Sequence, residues 1–199
     1  MIEVRRAGEQ GALLELADNA AAVRVARRLT SDCAGLVDVV PGHRTVLVTW
    51  DDEPQELIEL AEAALRDDQV APTGASVEIP VRYDGPDLDE VGRLTALSPE
   101  EVAARHIGAE YVVGFLGFAP GFVYLLGGDE RLRVERRAEP RERVPAGSVA
   151  LAGPYSGIYP RESPGGWQLI GSTTTVLFDA TRDPPALLSP GDRVRFVPA

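Results

Sequence analysis

Two apolar periods alternate over the first 66 residues. Residues 11–16 alternate weakly and read as a strand, after which Asn19 precedes an Ala- and Arg-rich run at 20–29 that favours a helix closed by Gly35. Residues 36–40 and 45–50 are short β-branched strands joined by Pro41-Gly42-His43-Arg44, a turn of hairpin length. Beyond Asp51-Asp52-Glu53-Pro54, residues 55–65 place Leu57, Leu60, Ala61, Ala64 and Leu65 on one helical face. A further strand is expected at 77–81. The order β-α-β-β-α, with or without a closing β, is the split pattern of ferredoxin-like domains. Residues 67–75, with Pro72 and Gly74, read as a linker.

From about residue 76 the pattern turns to short extended segments punctuated by Gly and Pro. Helical patterns persist only at 88–94 and 99–106. Ser98 as N-cap, Pro99 at the first helical position and Glu101 three residues past the cap signal the start of the second. Strands are expected at 110–115, 149–152, 167–171, 175–179 and 193–197, which suggests a small barrel or sandwich. The uncharged stretch 111–128 approaches the roughly 20 residues of a membrane helix. Its Gly114, Gly117, Pro120, Gly121, Gly127 and Gly128 break such a helix, so it reads as a buried strand leading into a turn-rich loop. The expected class is therefore α+β, with an α/β domain at 1–75 and a β-rich domain at 76–199.

Composition narrows the chemistry. The 199 residues carry a formal net charge of -11, and all 20 basic residues are Arg. Without Lys there is no Walker phosphate-binding lysine, Schiff-base lysine, Ser-x-x-Lys nucleophile or biotinylated lysine. Residues 1–100 hold 9 Arg against 20 acids, whereas 101–199 hold 11 against 11, so the two halves present different surfaces. An acidic half without a basic stripe disfavours nucleic acid as a partner. Cys33 is the single Cys, and no apolar run follows Arg5 and Arg6, so a disulfide framework and a signal peptide are not expected and a cytoplasmic location is.

Familiar site motifs fail in turn. His43 and His106 lack partners at metal-ligand spacing, so no metal site is expected. Gly153-Pro154-Tyr155-Ser156-Gly157 has the wrong spacing for a nucleophile elbow. Three unusual clusters remain. The 116–125 run sets three aromatics around two glycines and a proline, and either seals the core or forms a pocket or partner surface. The 131–143 run holds six Arg against three Glu, a solvated face or an anion-binding edge. The Pro164-Gly165-Gly166 turn after Ser163 is a backbone nest or a tight hairpin.

These clusters sit within a longer resemblance. Ile79-Pro80-Val81-x-Tyr83, Gly85-Pro86-Asp87-Leu88, Gly117-Phe118-x-Pro120-Gly121-Phe122-x-Tyr124-Leu125, Pro140-Arg141, Val144-Pro145-Ala146-Gly147-Ser148-Val149, Gly157-x-Tyr159-Pro160, Ser163-Pro164-Gly165-Gly166-Trp167-Gln168-Leu169-Ile170-Gly171 and Pro190-Gly191-Asp192 resemble the family that takes in the 5-oxoprolinase B subunits, allophanate hydrolase subunit 1 and the sporulation-kinase inhibitors. The resemblance covers nearly the whole chain, more loosely at its N-terminal part.

The resemblance implies a cyclophilin-like barrel after a small ferredoxin-like α/β domain. It also implies partners. One is a second cyclophilin-like chain, of the type of the 5-oxoprolinase C subunit or allophanate hydrolase subunit 2. The other is the third component, the 5-oxoprolinase A subunit, of a different barrel fold. Such a complex opens the small lactam 5-oxo-L-proline to L-glutamate with ATP, which is bound by the complex and not clearly by this chain. Related modules act on allophanate or in urea carboxylase, and one branch inhibits a sensor histidine kinase. Prolyl isomerisation would rest on fold analogy alone.

On this reading the site lies where the 117–125 loop meets the 163–167 turn. His106 is the candidate acid or base. Tyr124, Ser148 and Tyr159 are candidate donors to the amide. Arg137 and Arg141 would hold a carboxylate or phosphoryl oxygen. Phe118, Pro120, Gly121, Phe122, Ser163, Gly165, Gly166 and Trp167 would wall the pocket.

Overall fold

The computed structural model describes residues 2–67 and 74–199, and each of these two stretches forms a compact unit. The expected 67–75 linker falls mostly outside the described residues.

The first unit contains β1 (Glu3–Arg6), β2 (Gly11–Glu15), α1 (Asn19–Asp32), β3 (Leu36–Pro41), β4 (Thr45–Trp50) and α2 (Leu57–Arg66). Its antiparallel sheet runs β1-β2-β4-β3. Asp18, one residue ahead of the Asn19 named from sequence, caps α1 by accepting the Ala21 N–H at 2.8 Å. Both helices bury their apolar stripes on the sheet: Val25 and Leu29 from α1 and Leu57 and Ala61 from α2 meet Leu14, Val46, Val48 and Trp50. β1 occupies the edge beside β2 that a closing strand of the ferredoxin-like pattern would take. The 77–81 strand joins the second unit instead.

That second unit contains β5 (Ser76–Val81), α3 (Leu88–Thr95), α4 (Pro99–Gly108), β6 (Tyr111–Leu116), β7 (Val123–Leu126), β8 (Arg141–Val144), β9 (Ser148–Ala152), β10 (Tyr155–Ile158), β11 (Ser163–Gly165), β12 (Gln168–Ser172) and β13 (Arg193–Pro198). Seven strands form one sheet in the order β12-β9-β10-β7-β6-β13-β5, and β11 pairs with β8 as a separate ribbon. Arg82 and Ser172, just past β5 and at the end of β12, exchange backbone hydrogen bonds of 2.9 and 2.8 Å, so the sheet nearly closes on itself. Ile79, Val113, Leu125, Val149, Ile158, Ile170 and Phe196 fill its interior. The capping box at Ser98 and Glu101 is formed in both directions, and α4 begins at Pro99.

Two sequence expectations need correction. Residues 175–179 form no strand, because their pairing stops at one isolated bridge, Phe178 to Ala186, flanked by hydrogen bonds of Leu177 with Leu187 and of Asp179 with Pro185. The 117–125 segment is a tight turn followed by β7, so the 111–128 stretch is a β-hairpin and not a strand trailing into loop. Among the described residues no helix is long and apolar enough to cross a membrane.

Candidate functional site

The β6–β7 turn is held by short backbone hydrogen bonds, Ala119 N–H to Gly117 O at 2.7 Å and Phe122 N–H to Ala119 O at 2.9 Å. Gly121 has φ +80, and a Cβ there would lie 2.6 Å from Phe178 Cβ, so the turn requires glycine. Phe118 also has positive φ, +67, which strains a bulky residue, yet its ring is 58% exposed. The chain thus spends conformational strain to keep an aromatic ring outside the core.

β7 then splits its side chains. Val123 and Leu125 enter the barrel interior, and Tyr124 between them joins a second cluster with Phe122, Tyr159 and Trp167. Phe122 lies at the centre of that cluster, with ring centroids 5.2 Å from Tyr124, 5.3 Å from Phe118 and Tyr159, and 5.4 Å from Trp167. These are edge-to-face contacts. Tyr124 stacks on Phe115 at 4.3 Å and meets Tyr155 edge-on. Two glycines make room. A Cβ on Gly157 would come 2.9 Å from the Trp167 ring, and one on Gly165 would overlap the Tyr159 hydroxyl. The turn named from sequence therefore does meet the 117–125 segment, with Tyr159 between them.

Burial pushes the hydroxyls of Tyr124, Tyr155 and Tyr159 above the usual phenol range. The Trp167 backbone N–H partly offsets this by donating to the Tyr159 hydroxyl. All three remain protonated at neutral pH and can donate. Pro120 is exposed at the turn.

Other candidates lie elsewhere. Ser148 is buried and donates to Pro145 O at 2.8 Å, closing its own turn. Ser163 donates to Arg161 O at 3.3 Å within the β8–β11 ribbon. His106 is fully buried, hydrogen-bonded through Nδ1 to Tyr83 at 2.7 Å and through Nε2 to Ser156 at 2.8 Å, and stacked on Phe196. With both nitrogens engaged it ties α4 to the barrel and has no free edge for a substrate.

Burial holds the His106 imidazole down to about 3. Below pH 6.5 the unfolded chain's imidazole takes a proton that the folded one refuses. Its contribution to stability is therefore complete above that pH and declines toward pH 3, by roughly 1 kcal/mol per pH unit. Urea midpoints between about pH 4 and 7 should show this slope in the wild type and a shallower one in His106→Gln.

Arg137 and Arg141 are not free cations. Both donate to Oδ1 of Asp87, at 2.9 and 2.7 Å, and Oδ2 accepts the Leu169 N–H at 2.7 Å. Asp87, just ahead of α3, is 2% exposed. Arg137 also donates its backbone N–H to Gly166 O at 2.7 Å, which fixes the Gly166–Trp167 turn against the ion pair. Arg137 Nε and Arg141 Nη1 remain buried without a hydrogen-bond partner.

A third guanidinium beside the Gly166 turn is that of Arg136, which no sequence motif singles out. Its guanidinium lies 3.5–3.6 Å from where a Gly166 Cβ would sit, and its charge reaches the Tyr124 and Tyr159 hydroxyls. Among the described residues no group of three or more His, Cys, Asp or Glu could hold a metal ion. Phe122, Tyr159 and Trp167 are buried, so Phe118, exposed, and Tyr124 and Tyr155, half-buried, are what this cluster presents to a ligand or partner.

Residues 2–188 match the carboxyltransferase domain family, subdomain C and D. The chain is 46% identical over 182 residues to the 5-oxoprolinase B subunit of Escherichia coli O157:H7, covering 88% of this chain and 83% of that protein. It is 53% identical over 124 residues to the 5-oxoprolinase B subunit of Bacillus subtilis, covering 61% of this chain and 52% of the relative. The solved structure of TTHA0988 superposes with a TM-score of 0.84 at 40% identity over 96% of this chain. That match takes up 40% of the TTHA0988 chain, so the present chain spans less than half of the length of that protein.

Proposed function

Because the chain belongs to the family of 5-oxoprolinase B subunits, we propose that it is one component of an ATP-dependent complex that opens 5-oxo-L-proline to L-glutamate. Its partners on this reading are a second cyclophilin-like chain, seated against the aromatic face, and a third chain of different fold. The complex works where ATP is supplied, in the cytoplasm.

The observation that carries the reading is Phe118, an exposed residue on a strained backbone whose ring packs edge-on against Phe122 and Tyr159. A face built this way covers one side of a ligand and leaves the other side open.

The lactam ring lies on this face in the proposal, with its amide within reach of the half-buried Tyr124 hydroxyl. A lactam resists water, and ATP makes its oxygen a leaving group. Transfer of the γ-phosphoryl group to that oxygen gives ADP and an imidate phosphate. One water adds to the ring carbon and the C–N bond breaks to the amine, leaving an acyl phosphate. A second water releases glutamate and orthophosphate. This chain holds and orients the lactam, and without Lys any grip it has on the nucleotide's phosphates comes from Arg.

Mixing the purified components and following glutamate release from 5-oxoproline tests the reading. Release should require ATP and this chain together with its partners. No release from the complete mixture would count against it.

A further inference from the structure

We infer that Arg136 is the specificity residue of the proposed site, holding the carboxylate of a carboxylate-bearing lactam; this rests on the function proposed above. Arg137 and Arg141 are the cations whose place in the sequence suggests this role, but both are committed to the buried Asp87. Arg136 makes no such commitment. It is exposed, enters no ion pair among the described residues, and lies beside Gly166.

Gly166 is itself pinned, because its carbonyl accepts the Arg137 N–H, so the turn beneath the Arg136 guanidinium is rigid. Arg137 and Arg141 share the buried Asp87, and Arg136 lines one groove with Arg137, Glu90, Glu135 and Glu139. The donor atoms left without partners, Arg141 Nη1 and Arg137 Nε, bias the local field toward an anion. Glu135 and Glu139, on either side in the chain, are exposed.

An arginine fork matches a carboxylate in shape, and phenol donors match a lactam oxygen. 5-Oxoproline carries both groups on one five-membered ring. 2-Pyrrolidinone has the same ring without the carboxylate and is the informative comparison. A phosphoryl oxygen of ATP is the other anion that suits Arg136, and the two substrates separate these cases.

In the reconstituted complex, Arg136→Gln should lower the preference for 5-oxoproline over 2-pyrrolidinone, read as the ratio of kcat/KM values, by about 30-fold, mostly through KM for 5-oxoproline. Arg136→Lys should restore part of it, since an ammonium keeps the charge but loses the fork. An equal loss for both lactams means that Arg136 serves the nucleotide or the assembly, and overturns the inference. An unchanged ratio overturns it as well. Equilibrium binding of the two lactams to wild-type and Arg136→Gln complexes keeps the outcomes apart. A wild-type complex that binds 5-oxoproline more tightly than 2-pyrrolidinone without turning it over defeats the proposed reaction and leaves the carboxylate assignment standing if Arg136→Gln abolishes the difference. Failure of the wild-type complex to distinguish the two ligands defeats the assignment.

Discussion

Replacing Asp87 with Ala should destabilise the protein by about 3–5 kcal/mol, because it leaves two half-buried guanidinium groups and one buried amide without their shared acceptor. Each partner comes from a different part of the chain: Arg137 from the turn before β8, Arg141 from the start of β8, and the Leu169 N–H from β12. The carboxylate thereby joins α3 to the ribbon and the barrel. Asp87→Asn should cost less than Ala, since its side-chain oxygen can still accept the Leu169 N–H. Urea unfolding should show a lower midpoint in the order wild type, Asn, Ala, with an unchanged slope. A loss under about 1 kcal/mol for the Ala variant would mean that the arginines find other partners. Because the Arg137 backbone also holds Gly166, Asp87→Ala should disorder the Trp167 turn and abolish activity of the complex at temperatures where the chain remains folded.

Parts of this architecture can be read from local pattern, and the rest depends on distant partners. The strands β9 and β12 are short, almost wholly buried runs bounded by turns, and that signal is visible in one segment. β1 is exposed at every position, and β8 and β11 are mostly polar and short, so nothing in their composition separates them from loops. Residues 175–179 have the β-branched character of a strand but no neighbouring strand to pair with. The 77–81 strand is locally evident, but which sheet it enters is decided by its parallel pairing with β13, more than a hundred residues later.

The site divides in the same way. Glycine and aromatic spacing marks the turns at 117–121 and 163–167, because close ring packing demands glycine there. The Arg-rich run is visible as a cluster, but which guanidinium is free depends on Asp87, 54 residues before Arg141. His106 is conspicuous as a residue type, and only its burial against Tyr83, Ser156 and Phe196 reveals a core role.

Phe118 carries the central claim that the aromatic face is a working surface. Removing a ring at the centre of a desolvated contact commonly costs about 2–4 kcal/mol of binding, so Phe118→Ala should reduce glutamate release by the assembled complex on the order of 100-fold. The same ring contributes little to folding, since it is 58% exposed and sits at φ +67. Glycine relieves that strain, so Phe118→Gly should unfold at or above the wild-type temperature while matching the activity loss of Phe118→Ala.

The most direct measurement pairs these two readouts on Phe118→Gly: thermal unfolding of the purified chain, and ATP-dependent glutamate release from 5-oxoproline by the chain reassembled with its partners. A variant as stable as the wild type whose complex has lost nearly all release is the expected result. A complex that releases glutamate at the wild-type rate would show that chemistry and assembly proceed without this face.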